Sequence, residues 1–206
     1  MSVNEKKGHW EDIYTTRTAD KLSWTQEHPS PSIEWIAEVI PDKKNAIIDV
    51  GAGISPLVDH LLNAGYVKPA VLDLSSKALS QAKKRLGDRS AEVEWIEADV
   101  TMFSGSRTFM LWHDRAVFHF LTEPESRKQY LISLQKNLAP NGYAIIATFS
   151  PTGPRQCSGL DVMQFDEKSL AAEMGSAFQL ERSLQKKHTT PWGSNQDFVY
   201  CLFKRV

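Results

Sequence analysis

The sequence is poor in cysteine: Cys157 and Cys201 are the only two in 206 residues. That excludes a disulfide framework, although it leaves a single bridge open. No apolar run approaches the length of a membrane span. The first residues, Met1 to Gly8, are polar and lack the apolar centre of a signal peptide. Neither charge sign is in excess. Lysine and arginine number 24 against 25 acids, a formal net charge of -1. No global field therefore draws the chain to nucleic acid or to a membrane surface. There is no internal repeat and no low-complexity tract. These absences point to the cytoplasm and to an ordinary globular chain, with a length that fits one three-layer domain.

What is present is organised around Ala46 to Ser55, read Ala-Ile-Ile-Asp-Val-Gly-Ala-Gly-Ile-Ser. An apolar run ending in Gly-x-Gly predicts a buried strand, a tight turn and a helix start. Glycine supplies the φ > 0 conformation and lets a ligand approach the backbone. A dinucleotide fingerprint would place a third glycine where Pro56 stands, and a P-loop would add a lysine. Neither is found, which leaves Asp49-x-Gly51-x-Gly53.

Further strands are predicted at 70–74, 93–97, 108–112 and 143–149, separated by helices at 57–64, 76–86 and 124–138. Two antiparallel strands are predicted at 177–188 and 198–204. Asp73 ends the second strand, 24 residues after Asp49. That is near the spacing at which an acid meets ribose hydroxyls in nucleotide-binding βαβ units; a helix cap is the plainer reading. Asp99 follows the third strand. After the fourth comes His113-Asp114-Arg115-Ala116-Val117-Phe118-His119, the densest titratable cluster in the chain. Upstream, residues 1–8 are expected to form a frayed tail, and Ser30 or Ser32 to cap a helix at 33–40. Trp10 and Tyr14, four apart, would share a helix face. With Trp24 they form either an outer cap or a lid. Cys157, His188 and Cys201 match no compact zinc spacing, so no metal site is expected.

Asp-x-Gly-x-Gly with acids after the first three strands resembles the class I, Rossmann-like S-adenosylmethionine (SAM) methyltransferases, in particular a group of small single-domain bacterial enzymes. The resemblance runs from about residue 9 to 206 and is strongest over 46–121. It implies an α/β three-layer sandwich: a seven-stranded, mostly parallel sheet with an antiparallel C-terminal strand and helices on both faces. Residues 1–206 would form one domain, with 1–45 as lid or cap and 46–206 as SAM-binding core. Ala139-Pro140-Asn141-Gly142 departs mildly from the family's Pro-Gly-Gly turn, although asparagine tolerates the same left-handed backbone.

The family pattern implies SAM as cofactor, S-adenosylhomocysteine (SAH) as product and a small-molecule acceptor. It assigns cofactor contacts to Trp10, Tyr14, Trp24, Asp49, Gly51, Ala52, Gly53, Asp73, Leu74, Asp99, Val100 and His113. The acceptor is expected at Arg115, His119, Arg155 and Trp192, with a surface acid the equal alternative for Arg155, and the chemistry at His119, His113 and Asp114, with a core-facing place and one hydrogen bond the alternative for His119. An aromatic near a sulfonium is a cation–π contact, and imidazole suits a general base because it titrates near neutrality. Asp114-Arg115 also resembles the Asp-Lys-Gly motif of some protein-lysine methyltransferases, which keeps a lysine acceptor open. A SAM-binding module without chemistry is the non-enzyme alternative. Nucleic acid and membrane are not expected as partners, and the chain would act as a monomer or homodimer.

Overall fold

The computed structural model describes residues 2–206. Five parallel strands follow the apolar runs: β1 (Ile47–Val50), β2 (Ala70–Asp73), β3 (Glu94–Glu97), β4 (Phe109–Arg115) and β5 (Leu138–Phe149). After a small hairpin, β6 (Gln156–Cys157) and β7 (Leu160–Asp161), the long pair β8 (Phe178–Thr189) and β9 (Asn195–Arg205) completes the sheet. The order is β3-β2-β1-β4-β5-β9-β8, with β9 antiparallel to both neighbours. The chain thus builds outward from β1 on one side, then returns to its other side with β4. The crevice beyond the carboxyl ends of β1 and β4 is where such sheets bind ligands.

Helices α2 (Ser32–Val39), α3 (Leu57–Asn63) and α4 (Ser76–Leu86) cover one face. On the other, α5 (Pro124–Asn137) and α6 (Glu167–Met174) pack over Ile48, Val50, Trp112 and Ile146. Strand alternation supplies both cores. In β4, Leu111 packs with the α2 layer and Trp112 with the α5 layer. Asn141 is indeed left-handed (φ 60°), and the β4–β5 register shifts between Phe109 and Leu111 as the chain turns there.

The amino terminus differs from the expected tail. Helix α1 (Val3–Thr16) begins at a capping box, in which the Ser2 hydroxyl accepts from the Glu5 amide and the Glu5 carboxylate from the Ser2 amide. Met1 lies outside the described residues. What fixes α1 is a long-range contact. Glu11 accepts from the Ser76 amide (2.7 Å), the Ser76 hydroxyl (2.9 Å) and the Lys77 amide (3.2 Å). A carboxylate at those free amides of the first turn of α4 satisfies them and complements the helix dipole. Gln81 adds a bond to the Tyr14 carbonyl at 2.5 Å. The expected serine cap on α2 does not form either. Pro31 occupies the cap position, Ser30 bonds Glu34, and the Ser32 hydroxyl turns inward.

Candidate active site

Two cavities lie at the crevice. The larger, about 420 Å³, is bounded below by Gly51, Leu72, Asp73, Leu74, Ala98, Asp99 and Val100, the carboxyl ends of the first three strands and the turns after them. Its roof is Lys6, Trp10 and Tyr14 of α1 with Trp24. Its far wall comes from Ala116, Val117, Phe120 to Glu123, Ser126 and the β6–β7 hairpin, including Cys157 and Leu160. The smaller, about 60 Å³, lies behind Gly51 and adds Thr25, Gln26, Asp49, Ala52 and His113. Trp24, Gly51 and Arg115 border both.

The glycine turn is held open by its conformation. Gly51 and Gly53 have φ of 58° and 56°. A Cβ on Gly51 would strike Val117, and one on Gly53 the Tyr14 hydroxyl. Tyr14 of α1 therefore packs directly on the turn, and a side chain at Gly53 would push it off. Asp73 fixes the same turn from below. Its Oδ2 accepts from the Gly53 amide at 2.7 Å and its Oδ1 from the Ser75 amide at 2.8 Å. Each oxygen keeps a lone-pair direction for another donor. Burial raises the Asp73 carboxyl to about 6, against the two amides that favour its charge. Asp99 accepts from the Thr101 amide and hydroxyl at 2.8 and 2.7 Å, which sets its orientation at the cavity edge.

The aromatic roof is one cluster. Trp10 packs edge-on to Trp24 and Phe120, at centroid distances of 5.9 and 5.2 Å, and lies 6.3 Å from Tyr14. Phe120 was not singled out from sequence; its place in an apolar run gives no signal that it meets Trp10.

Of the expected catalytic residues, His113 borders only the smaller cavity, and Asp114 and His119 border neither. Strand β4 runs to Arg115, three residues beyond the expected end at 112, so His113, Asp114 and Arg115 alternate between faces instead of converging in a loop. His113 pairs in register with Asp49. Its Nδ1 meets Asp49 Oδ1 at 2.6 Å and its Nε2 the Ser32 hydroxyl at 2.8 Å. That hydroxyl–imidazole–carboxylate order is the one used for nucleophilic hydrolysis. Here all three are buried and Ser32 borders neither cavity, so the chain of bonds ties α2 to the sheet.

Asp114 faces the opposite layer. Oδ2 accepts from the Tyr130 hydroxyl at 2.6 Å and Oδ1 from the Val117 and Phe118 amides at 2.9 and 3.4 Å. Burial raises it to about 6, and it borders neither cavity. It holds the turn after β4, where Ala116 takes φ 71°. His119 is fully buried; its Nδ1 accepts from the Phe149 amide at 3.3 Å, and burial, with Arg115 nearby, lowers it to about 3. It borders neither cavity, so it does not reach an acceptor bound in either.

Of the expected acceptor residues, Arg115 alone faces the crevice. Arg155 is exposed on its loop, and Trp192 is 57% exposed near the β8–β9 hairpin tip; neither borders a cavity. Ala52 and Asp49 border only the smaller cavity, and Gly53 neither, since Tyr14 covers it. Cys157 and Cys201 are buried free thiols.

Residues 47–142 match the family model described as a methyltransferase domain. No curated protein matches the chain by sequence. Among solved structures, one concerning the conversion of a disulfide bond into a thioacetal group during echinomycin biosynthesis superposes with a TM-score of 0.78 at 19% identity, covering 97% of this chain and 92% of the other. The 1,6-didemethyltoxoflavin-N1-methyltransferase of Burkholderia thailandensis, with its substrate and SAH bound, gives 0.68 at 18% over 98% and 85%. The N-methyltransferase NodS of Bradyrhizobium japonicum WM9, in complex with SAH, gives 0.71 at 14% over 96% and 98%. The sheet order, the acids at the strand ends and these matches agree: the chain has the Rossmann-like fold of the small, single-domain, class I SAM-dependent methyltransferases.

Proposed function

We propose that the protein transfers a methyl group from SAM to a small-molecule acceptor inside the larger cavity. The observation that carries this is the cavity itself: about 420 Å³ with strand-end acids on one side and an aromatic roof on the other. That volume is in the range of small-molecule sites. The residues fit the nucleoside. Asp73 keeps two free acceptor directions for vicinal ribose hydroxyls. Asp99 and the Val100 backbone suit an adenine edge, and Leu74 and Ala98 supply apolar contact. When bound, SAM supplies a methyl group already activated by its sulfonium.

The chain's own residues then have three tasks: to align the acceptor, to exclude water and to leave the reacting atom unhindered. Orientation alone can be worth roughly 7–11 kcal/mol in ideal cases. Residues 1–45 act as the lid within a single-domain chain, with Trp10 and Trp24 lying near the sulfonium, where a cation–π contact gains from the exclusion of water. The acceptor lies against Phe120 to Glu123, Ser126 and Leu160, in place of the expected His119, Arg155 and Trp192. With His113, Asp114 and His119 occupied or sealed, no imidazole serves as general base. That favours an acceptor atom already nucleophilic near neutral pH, such as a thiolate. The roof argues against a protein lysine, which needs an open groove. Among the described residues, no helix is long and apolar enough to cross a membrane. We place the protein in the cytoplasm, acting as a monomer or homodimer and without nucleic acid.

Incubation with methyl-labelled SAM and a panel of thiols, amines, carboxylic acids and cell extract tests the proposal. Label should move to a small molecule, with thiols favoured. Label moving only to protein would establish the lysine reading, and binding of SAM without transfer to anything would reduce the chain to a binding module.

A further inference from the structure

Arg127 is a buried cation that the proposed chemistry does not use. It stands near the start of α5, is 7% exposed and borders neither cavity. Its Nη1 donates to the Leu121 and Thr122 carbonyls, both at 2.9 Å, and lies 3.0 Å from the Met163 sulfur. Its Nε donates to the Glu173 carboxylate of α6 at 2.9 Å. A buried charge needs a counter-charge, and Glu173 supplies it. Pairing alone does not call for the other contacts. They set the guanidinium against two further stretches of chain that belong to neither α5 nor α6.

Those stretches wall the chamber assigned to the acceptor. Leu121 and Thr122 border the larger cavity from the turn after β4, and Leu160 and Asp161 border it from the β6–β7 hairpin. Met163 follows Asp161 by two residues, and its amide donates to the His119 carbonyl at 2.8 Å. The turn and the run 160–163 thus meet twice outside the cavity: backbone to backbone at His119, and through Arg127 at Leu121 and Thr122. Within the turn, the Phe120, Leu121 and Thr122 amides donate to the Val117, Phe118 and Phe120 carbonyls. Those local bonds shape the turn but do not fix its distance from the run 160–163.

We propose that Arg127 is a positioning residue for methyl transfer: it sets the width of the acceptor chamber by tying Leu121 and Thr122 to Met163 and α6. The inference rests on the acceptor placement given above. The planar guanidinium presents Nε and Nη1 in a fixed geometry, so holding Glu173 with one nitrogen orients the other toward the two carbonyls. Lysine would keep a charge beside Glu173 without that fork. The size of acceptor admitted thus depends on a side chain that the acceptor never touches, whereas the cofactor contacts at the ends of β1 to β3 do not.

Arg127→Lys, which keeps the buried charge, and Arg127→Met test this in two ways. Hydrogen exchange read by mass spectrometry should quicken about 10-fold in both variants over 118–123 and 160–163 together, as expected for one lost hydrogen bond, and stay unchanged over 46–75. Calorimetry should find SAH bound within about threefold of wild type. The second readout is the rate of transfer from SAM to ethanethiol, thiophenol and a naphthalenethiol. The ratio of kcat/KM for the largest thiol to that for the smallest should rise about 10-fold in both variants as the chamber loosens. Partial unfolding would scale all three rates alike and leave that ratio unmoved. An unchanged ratio, or exchange that quickens in only one of the two stretches, would overturn the proposal. A wild type that methylates none of the three would count against the thiolate reading instead, and exchange alone would then decide. Failure of the wild type to bind SAH would overturn the SAM reading, with exchange in the unliganded protein still deciding the role of Arg127.

Discussion

Replacing Asp73 by asparagine removes the charge at the proposed ribose site while nearly preserving shape. In the wild type, Oδ2 and Oδ1 hold the Gly53 and Ser75 amides at 2.7 and 2.8 Å. Asparagine can accept from one of these amides only. Its NH₂ faces the other, donor against donor, and it offers the ribose hydroxyls at most one uncharged acceptor. Two hydrogen bonds to a charged acceptor are worth about 3–6 kcal/mol in total. Partial retention of one bond puts the expected loss of SAH affinity at roughly 100-fold or more. The measurement is isothermal calorimetry at pH 8, above the value of about 6 to which burial raises this carboxyl, so that the wild-type group is ionised. The unsatisfied amide should also lower thermal stability, and circular dichroism melting separates that effect from lost contact. A folded Asp73→Asn protein that binds SAH within threefold of wild type would refute the ribose assignment.

The same carboxyl gives the pH dependence its sign. Ribose hydroxyls donate to the ionised form, so SAH affinity should be flat above about pH 6 and fall by up to tenfold per unit below it; Asp73→Asn should lose that slope. In the apo protein, Asp73 and Asp114 are both raised to about 6 from 3.8. The folded state therefore binds more protons than the unfolded between those values, and these two groups make stability decline as pH rises across that window, which urea melts at stepped pH would register. His113→Leu leaves the Asp49 carboxylate and the Ser32 hydroxyl buried without their shared partner, an expected loss of about 1–3 kcal/mol in urea unfolding; a loss below about 0.5 kcal/mol would contradict the latch described here. Glu11→Gln should loosen α1 from α4 and speed SAH release in stopped-flow displacement, with the adenosine contacts untouched. In the wild type, bonds to Ser76 and Lys77 hold the Glu11 carboxyl below its usual range despite the opposing effect of burial, so the same loosening should appear only at distinctly acid pH.

The fold was legible because its signals are local and periodic. The apolar runs at 46–50 and 70–74 and the glycine turn between strand and helix each specify their own conformation. Gly51, Asp73, Leu74, Asp99 and Val100 border the larger cavity as a consequence of standing at or just after strand ends. The catalytic assignment was less legible because it depended on where β4 stops. Three more residues of strand send His113 to Asp49, Asp114 to Tyr130 and Arg115 toward Tyr200. Histidines clustered in sequence look like chemistry, but burial can make them packing, and nothing local distinguishes the two for His119. The anchoring of α1 was equally hidden, since Glu11 reaches Ser76 across 65 positions.

The central claim is that adenosine lies across the ends of β1 to β3 with its sulfur under Trp10 and Trp24. A crystal structure of the protein grown with SAH tests it most directly. The account predicts both ribose hydroxyls on Asp73, the adenine edge at Asp99 and Val100, and the sulfur facing the chamber bordered by Phe120 and Cys157. SAH bound anywhere else, or a larger cavity that stays empty at saturating SAH, would contradict it.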